Sequence, residues 1–355
     1  MINLGSSQLK YPNDSIINIQ PNQKILEYCS FEDSFIYKKN MLNALNTYFK
    51  CELHTSELVI TGNIGLVLRM IISSFLPPNS LLLVENPTYY NVVTLIKSIK
   101  HELNYEYLNI QKDGIDIDQL ETKLLNNKNK QIYLLITPYY HNPTGYTYCD
   151  HKLDKINELS KIYPNLTIIS DEIYIYHHDV KPLYIKYNNK NIISLLGFSK
   201  ILFGGIRHSC IISHKDNIIS NEVENSNGII SSHDHYFINE YITNFNINDE
   251  LVYRKKIFDI TRTICIQKIK NHLNEYLTII NEEKGYWIWC KLKNHNINTT
   301  KLVDYLQQKN IFILNGDLFF FEKQKDKYIR FSSYNDLNIF EYAIKIIKKT
   351  LDKMN

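Results

Sequence analysis

Alanine is almost missing from these 355 residues; Ala44 and Ala343 are the only two. Glycine is scarce as well, at 11, so a glycine that survives is expected where only glycine fits. No run of about 18 apolar residues occurs, which excludes a helical membrane span. The opening MINLGSSQLKYPND has neither a basic n-region nor an apolar h-region, so it does not read as a signal peptide, and a cytoplasmic protein is expected. The six cysteines, Cys29, Cys51, Cys149, Cys210, Cys265 and Cys290, form no CxxC pair. That pattern offers no zinc site and argues against a disulfide scaffold. Charge of one sign is lacking too. With 40 Lys and Arg against 37 Asp and Glu, interspersed, the chain has no basic stripe of the kind a nucleic-acid binder carries.

What is present is a globular composition, 44% hydrophobic and 22% charged, on a chain long enough for about two domains. Residues 1–37 are polar, broken by Pro12 and Pro21, and read as an arm. Helical spacing begins near Met41–Phe49, Thr55–Ile60 reads as extended, and Leu66–Phe75 reads as a helix stopped by Pro77-Pro78. Short apolar strands then alternate with helices: strands at Leu81–Val84, Gln131–Thr137, Leu166–Ser170 and Ile192–Leu196, helices at Asn91–Ile99 and Asp150–Tyr163. The alternation predicts an α/β fold, a mostly parallel sheet flanked by helices on both faces. Ile238–Tyr276 reads as one long helix. Beyond it, strands at Tyr286–Leu292, Ile311–Leu314 and Lys327–Ser332, with helices at Thr300–Lys309 and Ile339–Lys348, predict a smaller α+β domain. The expected boundaries are an arm or part of the small domain at 1–40, a large domain at 41–245 and a small domain at 246–355.

Ligands of such sheets sit beyond the carboxyl ends of the strands. The residues there form an ordered series: Thr61-Gly62-Asn63, then Glu85-Asn86-Pro87-Thr88-Tyr89-Tyr90, then His141-Asn142-Pro143-Thr144-Gly145, then Asp171-Glu172-Ile173-Tyr174, then Gly197-Phe198-Ser199-Lys200 with Arg207 seven residues on. Each piece alone is ordinary; NPTG is a good turn sequence and a lysine after a strand is usually solvated. Five of them in one order are not.

From about residue 35 to the C-terminus the sequence resembles the fold-type-I pyridoxal-phosphate enzymes of the aspartate-aminotransferase superfamily. VENPTYY and GFSKILFGGIR are nearest to α-aminoadipate aminotransferases and to the aminotransferase-like domain of MocR-type regulators. Those regulators also carry a winged helix, which is not read here. The resemblance implies pyridoxal 5'-phosphate as cofactor, an α-amino acid and a 2-oxo acid as substrates, and a homodimer.

It also implies roles. Lys200 resembles the Schiff-base lysine, whose amine must be neutral to attack an aldehyde and which then moves the α-proton. Asp171 resembles the partner of the pyridine nitrogen, and Tyr174 and Asn142 the donors to the ring's phenolic oxygen. Tyr89, with Tyr90 as the alternative, aligns with the aromatic that stacks on the ring. Gly62, Asn63 and Ile64 would cradle the phosphate at a helix N-terminus, with Ser199 and the planar fork of Arg207. Arg330, with Asn142, would bind the substrate's α-carboxylate.

The chain departs from the pattern in places. Relatives usually carry a phosphate-binding serine at the position of Gly197, and a glycine at that of Ser209. Near residues 38–46, where relatives supply a tyrosine to the neighbouring subunit's phosphate, Tyr37 is the candidate. His177-His178-Asp179 and His233-Asp234-His235 have poor spacing for a metal and read as solvated loops, with a place facing substrate left open for His233. The expectation is an aminotransferase of amino-acid metabolism and biosynthesis, with other chemistry on the same cofactor (decarboxylation, elimination or cyclisation, oxidation) or a non-catalytic cofactor-binding relic as alternatives. No distal-carboxylate clamp stands out, so the substrate side chain is left open.

Overall fold

The computed structural model describes residues 1–6, 9, 11, 23–99, 103–226 and 230–354. Pro12 and Pro21 of the expected arm lie outside the described residues.

Eight strands form the main sheet, in the spatial order Leu58–Thr61, Ser209–Ile212, Ile192–Gly197, Leu166–Asp171, Ile132–Ile136, Leu81–Asn86, Asn104–Gln111 and Gly114–Ile115. The five strands from Ile192–Gly197 to Asn104–Gln111 run parallel, while Ser209–Ile212 and Gly114–Ile115 are antiparallel to their neighbours. The central strands are apolar throughout because both faces are covered. Along Ile132–Ile136, Ile132, Leu134 and Ile136 join one core with Leu45, Leu120 and Ile156, whereas Tyr133 and Leu135 join the other with Val67, Val93 and Ile219. That is the two-residue alternation of a strand placed between two helical layers.

A second sheet of four antiparallel strands follows the order Leu277–Ile279, Trp287–Leu292, Tyr328–Ser332 and Leu314–Asn315. Helices Thr299–Gln308 and Leu337–Met354 cover it. The helix Ile247–Leu273 connects the two units, with Leu251 in the large core and Cys265, Ile269 and Leu273 in the small one. Among the described residues no helix is long and apolar enough to cross a membrane.

Four features differ from the sequence reading. The first long helix starts at Phe31, capped by Ser30, whose side chain accepts from the Asp33 N–H, rather than near Met41. Phe31 and Phe35 stay exposed, so the first turns show no core-facing stripe to detect. The start of the segment read as an arm or part of the small domain takes the second form rather than a free arm: Ile2–Asn3 pairs in parallel with Ile311–Phe312, and Leu4 is fully buried in the small core. The expected single helix over 238–276 is two, Ser232–Asn244 and Ile247–Leu273, because Asn246 caps the second through its side chain and forces a break. The expected strand Ile311–Leu314 divides into Ile311–Phe312 and Leu314–Asn315, which pair with different partners.

Candidate active site

The chain turns at the carboxyl ends of the parallel strands surround a cavity of about 470 Å³, closed on another side by the second sheet. Its lining includes Asn63, Ile64, Tyr89, Asn142, Asp171, Tyr174, Ser199, Lys200, Arg207 and Arg330, every expected site residue except Gly62. That volume suits a small-molecule ligand.

Asn63 ends the turn after Leu58–Thr61 and caps the following helix, its side chain accepting from the Leu66 N–H at 3.0 Å. The helix runs from Ile64 to Met70 and continues as a π-helical stretch to Phe75. Among the described residues the N–H groups of Asn63, Ile64 and Gly65 have no hydrogen-bond partner. They are unpaired donors at a helix start, facing the cavity those residues line. Gly62 lies behind them, buried, its carbonyl held by Ser209. Arg207 is exposed, and among the described residues its guanidinium makes one hydrogen bond, to the Gly204 carbonyl at 3.2 Å.

The middle of the cavity holds a carboxyl and an amine whose protonation is shifted toward each other. Asp171 ends its strand nearly buried; burial pushes its carboxyl up to about 7, partly opposed by the Ile173 N–H that donates to it at 3.2 Å. Lys200 is brought down to about 8, chiefly by desolvation and then by the cations Arg330 and Arg207, with Asp171 opposing. Its amine lies 5.2 Å from the Trp287 ring centroid and 5.8 Å from that of Tyr286. A lysine titrating there is still mostly protonated near physiological pH, but its neutral, nucleophilic fraction is roughly a tenth to a fifth, more than a hundredfold that of an ordinary lysine.

Arg330 is the most enclosed of these groups, 1% exposed. Its guanidinium stacks 3.8 Å from the Trp287 ring centroid, donates to Asn142 Oδ1 at 2.7 Å and to the Gly5 carbonyl at 2.7 Å, and leaves Nε without a partner among the described residues. A buried donor still to be satisfied on a planar cation suits a carboxylate. Because Asn142 accepts through Oδ1, its Nδ2 remains to donate. Tyr174 is arranged the same way: its oxygen accepts from Trp287 Nε1 at 2.8 Å, leaving its own hydrogen free. Tyr89 caps the helix Tyr90–Ser98, its ring 5.1 Å from that of Tyr90, and both line the cavity.

Several sequence readings need correction or addition. Tyr37, the candidate for a tyrosine crossing between subunits, is buried in its own chain against His235, ring centroids 5.7 Å apart. The exposed tyrosine of that region is Tyr28. The histidine runs are not solvated loops: His177 and His235 are buried, His177 packing 4.6 Å from Phe258. His233 stacks on Phe237 away from the cavity lining. Glu85, buried, accepts from the Thr137 N–H at 3.0 Å and the Tyr148 hydroxyl at 2.7 Å and so braces the floor beside Asn142. Trp287 was missed. Its signal was the placement of both of the chain's tryptophans two residues apart in one strand, but its contacts arise from tertiary packing.

The cavity residues fit pyridoxal phosphate: unpaired N–H groups and an arginine for a phosphate, a lysine of lowered pKa for an aldehyde, a buried carboxyl for a ring nitrogen. Residues 1–339 match the family described as Aminotransferase class I and II. The chain is 23% identical over 320 residues to an uncharacterised aminotransferase of Saccharolobus solfataricus, covering 88% of this chain and 78% of that one. The crystal structure of an archaeal alanine:glyoxylate aminotransferase shares the fold with a TM-score of 0.83 at 18% identity, covering 100% of this chain and 91% of that one. LysN, the α-aminoadipate aminotransferase of Thermus thermophilus, does so with a TM-score of 0.76 at 14% identity, covering 99% and 92%. The chain therefore belongs to the class I and II aminotransferases of fold type I, enzymes that use pyridoxal phosphate to move an amino group between an amino acid and a 2-oxo acid.

Proposed function

We propose that Lys200 is the residue that performs the proton transfer of this transamination and that Arg330 orients the substrate for it. The observation that carries the reading is the convergence on one cavity of Lys200 with its lowered pKa, a buried Asp171 and an Arg330 Nε that has no partner among the described residues. When bound, pyridoxal phosphate supplies the electron-withdrawing ring that acidifies the substrate's α-proton.

Asp171 would hold a proton on the ring nitrogen; such a cationic neighbour would favour its charged form, against the effect of burial. Tyr174 and the Asn142 amide donate to the phenolic oxygen, which uses the hydrogens the structure leaves them. Tyr89 stacks on the ring. The N–H groups of the Gly62-Asn63-Ile64 turn, Ser199 and Arg207 hold the phosphate. Arg330 takes the α-carboxylate through Nε and its fork, with Asn142 fixing the guanidinium plane, and so sets which bond at Cα meets Lys200. Lys200 Nζ would be the base that takes the α-proton and the acid that gives it back, the cofactor when bound making that proton acidic. The enzyme acts on α-amino acids in the cytoplasm, in amino-acid biosynthesis, as a homodimer whose exposed Tyr28 reaches the neighbouring subunit. Six unpaired cysteines support a reducing compartment.

The test is a single half-reaction. The loaded protein is mixed with a panel of amino acids, and conversion to pyridoxamine phosphate is measured against release of 2-oxo acid. The wild type is expected to convert at least one donor stoichiometrically. Lys200→Ala is expected to lose about 10⁴-fold or more in rate. Wild-type-like conversion by that variant removes Lys200 from the mechanism.

A further inference from the structure

Two departures of the sequence turn out to be neighbours. By the resemblance, Gly197 stands where the family usually has a serine and Ser209 where it usually has a glycine; in the sheet, Ser209 is the direct antiparallel partner of Gly197 on one side and of Thr61 on the other. Residues directly opposed across antiparallel strands share a face of the sheet. A hydroxyl has therefore moved one strand across rather than vanished. The space explains why it cannot return unaided: a Cβ on Gly197 would stand 2.9 Å from Ile64 Cδ1 and 3.2 Å from Ile173 Cγ1.

Ser209 is 1% exposed and lies outside the cavity lining, so it does not meet a ligand there. Its hydroxyl donates to the Gly62 carbonyl, and the fully buried Thr61 hydroxyl lies 2.7 Å from Ser209 Oγ. With the serine hydrogen spent on Gly62, Thr61 donates to Ser209. The peptide between Gly62 and Asn63 is planar and trans, so its carbonyl and the Asn63 N–H point in opposite directions. Holding the carbonyl back toward the sheet fixes the direction of the Asn63 N–H, the first unpaired donor at the start of the helix.

We propose that Ser209, backed by Thr61, is a positioning residue that aims the Gly62-Asn63 peptide at the cofactor's phosphate, taking over from beneath the turn what a serine at 197 does by direct contact. The inference rests on the assignment of that turn to the phosphate. It concerns cofactor affinity rather than the reaction.

The experiment compares pyridoxal phosphate with pyridoxal, which lacks the phosphate, on the full-length chain cleared of cofactor. Dissociation constants are read from intrinsic tryptophan fluorescence, since Trp287 lines the cavity. For Ser209→Ala the phosphorylated ligand is expected to bind about tenfold more weakly, about 1.4 kcal/mol, with pyridoxal unchanged within about twofold. Thr61→Val, which keeps the side-chain shape and removes the backing donor, is expected to show the same selective loss at about threefold. It carries the test if Ser209→Ala does not fold. Equal losses for both ligands would reduce Ser209 to a structural bond, and no loss for either would remove it altogether; each outcome overturns the proposal. If the wild type itself binds both ligands equally, the phosphate assignment of the turn has failed instead, and that is visible before any variant is made.

Discussion

Arg330 and Arg207 reach one cavity from different sheets, and they are held in opposite ways. Arg330 comes from a central strand of the small sheet, is buried, stacks on Trp287 and spends two bonds on Asn142 and Gly5 before any ligand arrives. Burial brings its guanidinium down to about 10, so the cation is kept at a cost, with Nε unfilled. Arg207 sits on the turn ahead of Ser209–Ile212, exposed, with one backbone carbonyl. The first is preorganised and can accept only a planar partner in one pose. The second remains in water and adapts. On the proposed roles, precision is built where the reacting bond would be aimed, and tolerance where a doubly charged phosphate would only be gripped.

The contrast is broken most strongly by the same substitution at both places. Arg330→Lys keeps the charge and loses the fork, leaving Asn142 Oδ1 and the Gly5 carbonyl without their donor. The expected loss in kcat/KM for amino acids is on the order of 100- to 1,000-fold, with cofactor affinity nearly unchanged. Arg207→Lys is expected to weaken pyridoxal phosphate only about threefold to tenfold, because lysine still grips phosphate as a point charge. Steady-state kinetics with cofactor titration separates the two; comparable losses in both quantities would mean that the two arginines are not specialised.

The pH dependence of cofactor capture sharpens the same comparison. In the ligand-free chain Lys200 titrates at about 8, so its neutral form, the one that attacks the aldehyde, falls about tenfold per pH unit below that value. The rate of capture should rise with pH up to about 8 and level above it. Removing a cation that depresses the lysine must raise the midpoint. Arg330 is the larger of the two influences after burial, and Arg207 the smaller. Stopped-flow loading of Arg330→Gln and Arg207→Gln across pH is expected to show an upward displacement in both, greater for Arg330→Gln. A midpoint that moves down in either contradicts the electrostatic account.

Which residues line this cavity at the strand ends was legible before the fold was known, and for a physical reason. Parallel strands buried on both faces are apolar runs, so their ends can be located in the sequence, and the ligand-facing residues follow immediately. Asp171, Tyr174, Lys200 and the Asn63 turn were found that way. Strands outside that rule were missed. Asn104–Gln111 lies toward the sheet margin with most of its side chains partly or fully exposed, and Ser209–Ile212 is only four residues long. Gly5 and Trp287 were invisible as site residues for another cause. Neither belongs to a strand-end motif, and each acquires its role only when the second sheet closes over the first. Tyr37 shows the converse: position in the chain suggested a crossing residue, but packing against His235 consumed it.

Trp287 supplies the finest test, because it contacts both the rigid Arg330 and Tyr174, the tyrosine proposed to face the cofactor ring. Its indole lies under Arg330, and its Nε1 donates to the Tyr174 oxygen at 2.8 Å. Trp287→Phe keeps an aromatic face for the guanidinium and removes the donor. Burial holds the Tyr174 hydroxyl proton tightly, and the Trp287 bond works against that, so its loss makes Tyr174 a poorer donor toward the cavity. One neutral hydrogen bond is worth about 0.5–1.5 kcal/mol, or roughly twofold to tenfold. The fall is therefore expected in kcat, with KM for the amino acid held within about twofold because the Arg330 fork stays in place. If KM rises instead, the indole matters mainly as the platform of Arg330, and the separation between aiming the carboxylate and tuning the ring oxygen collapses into a single packed unit.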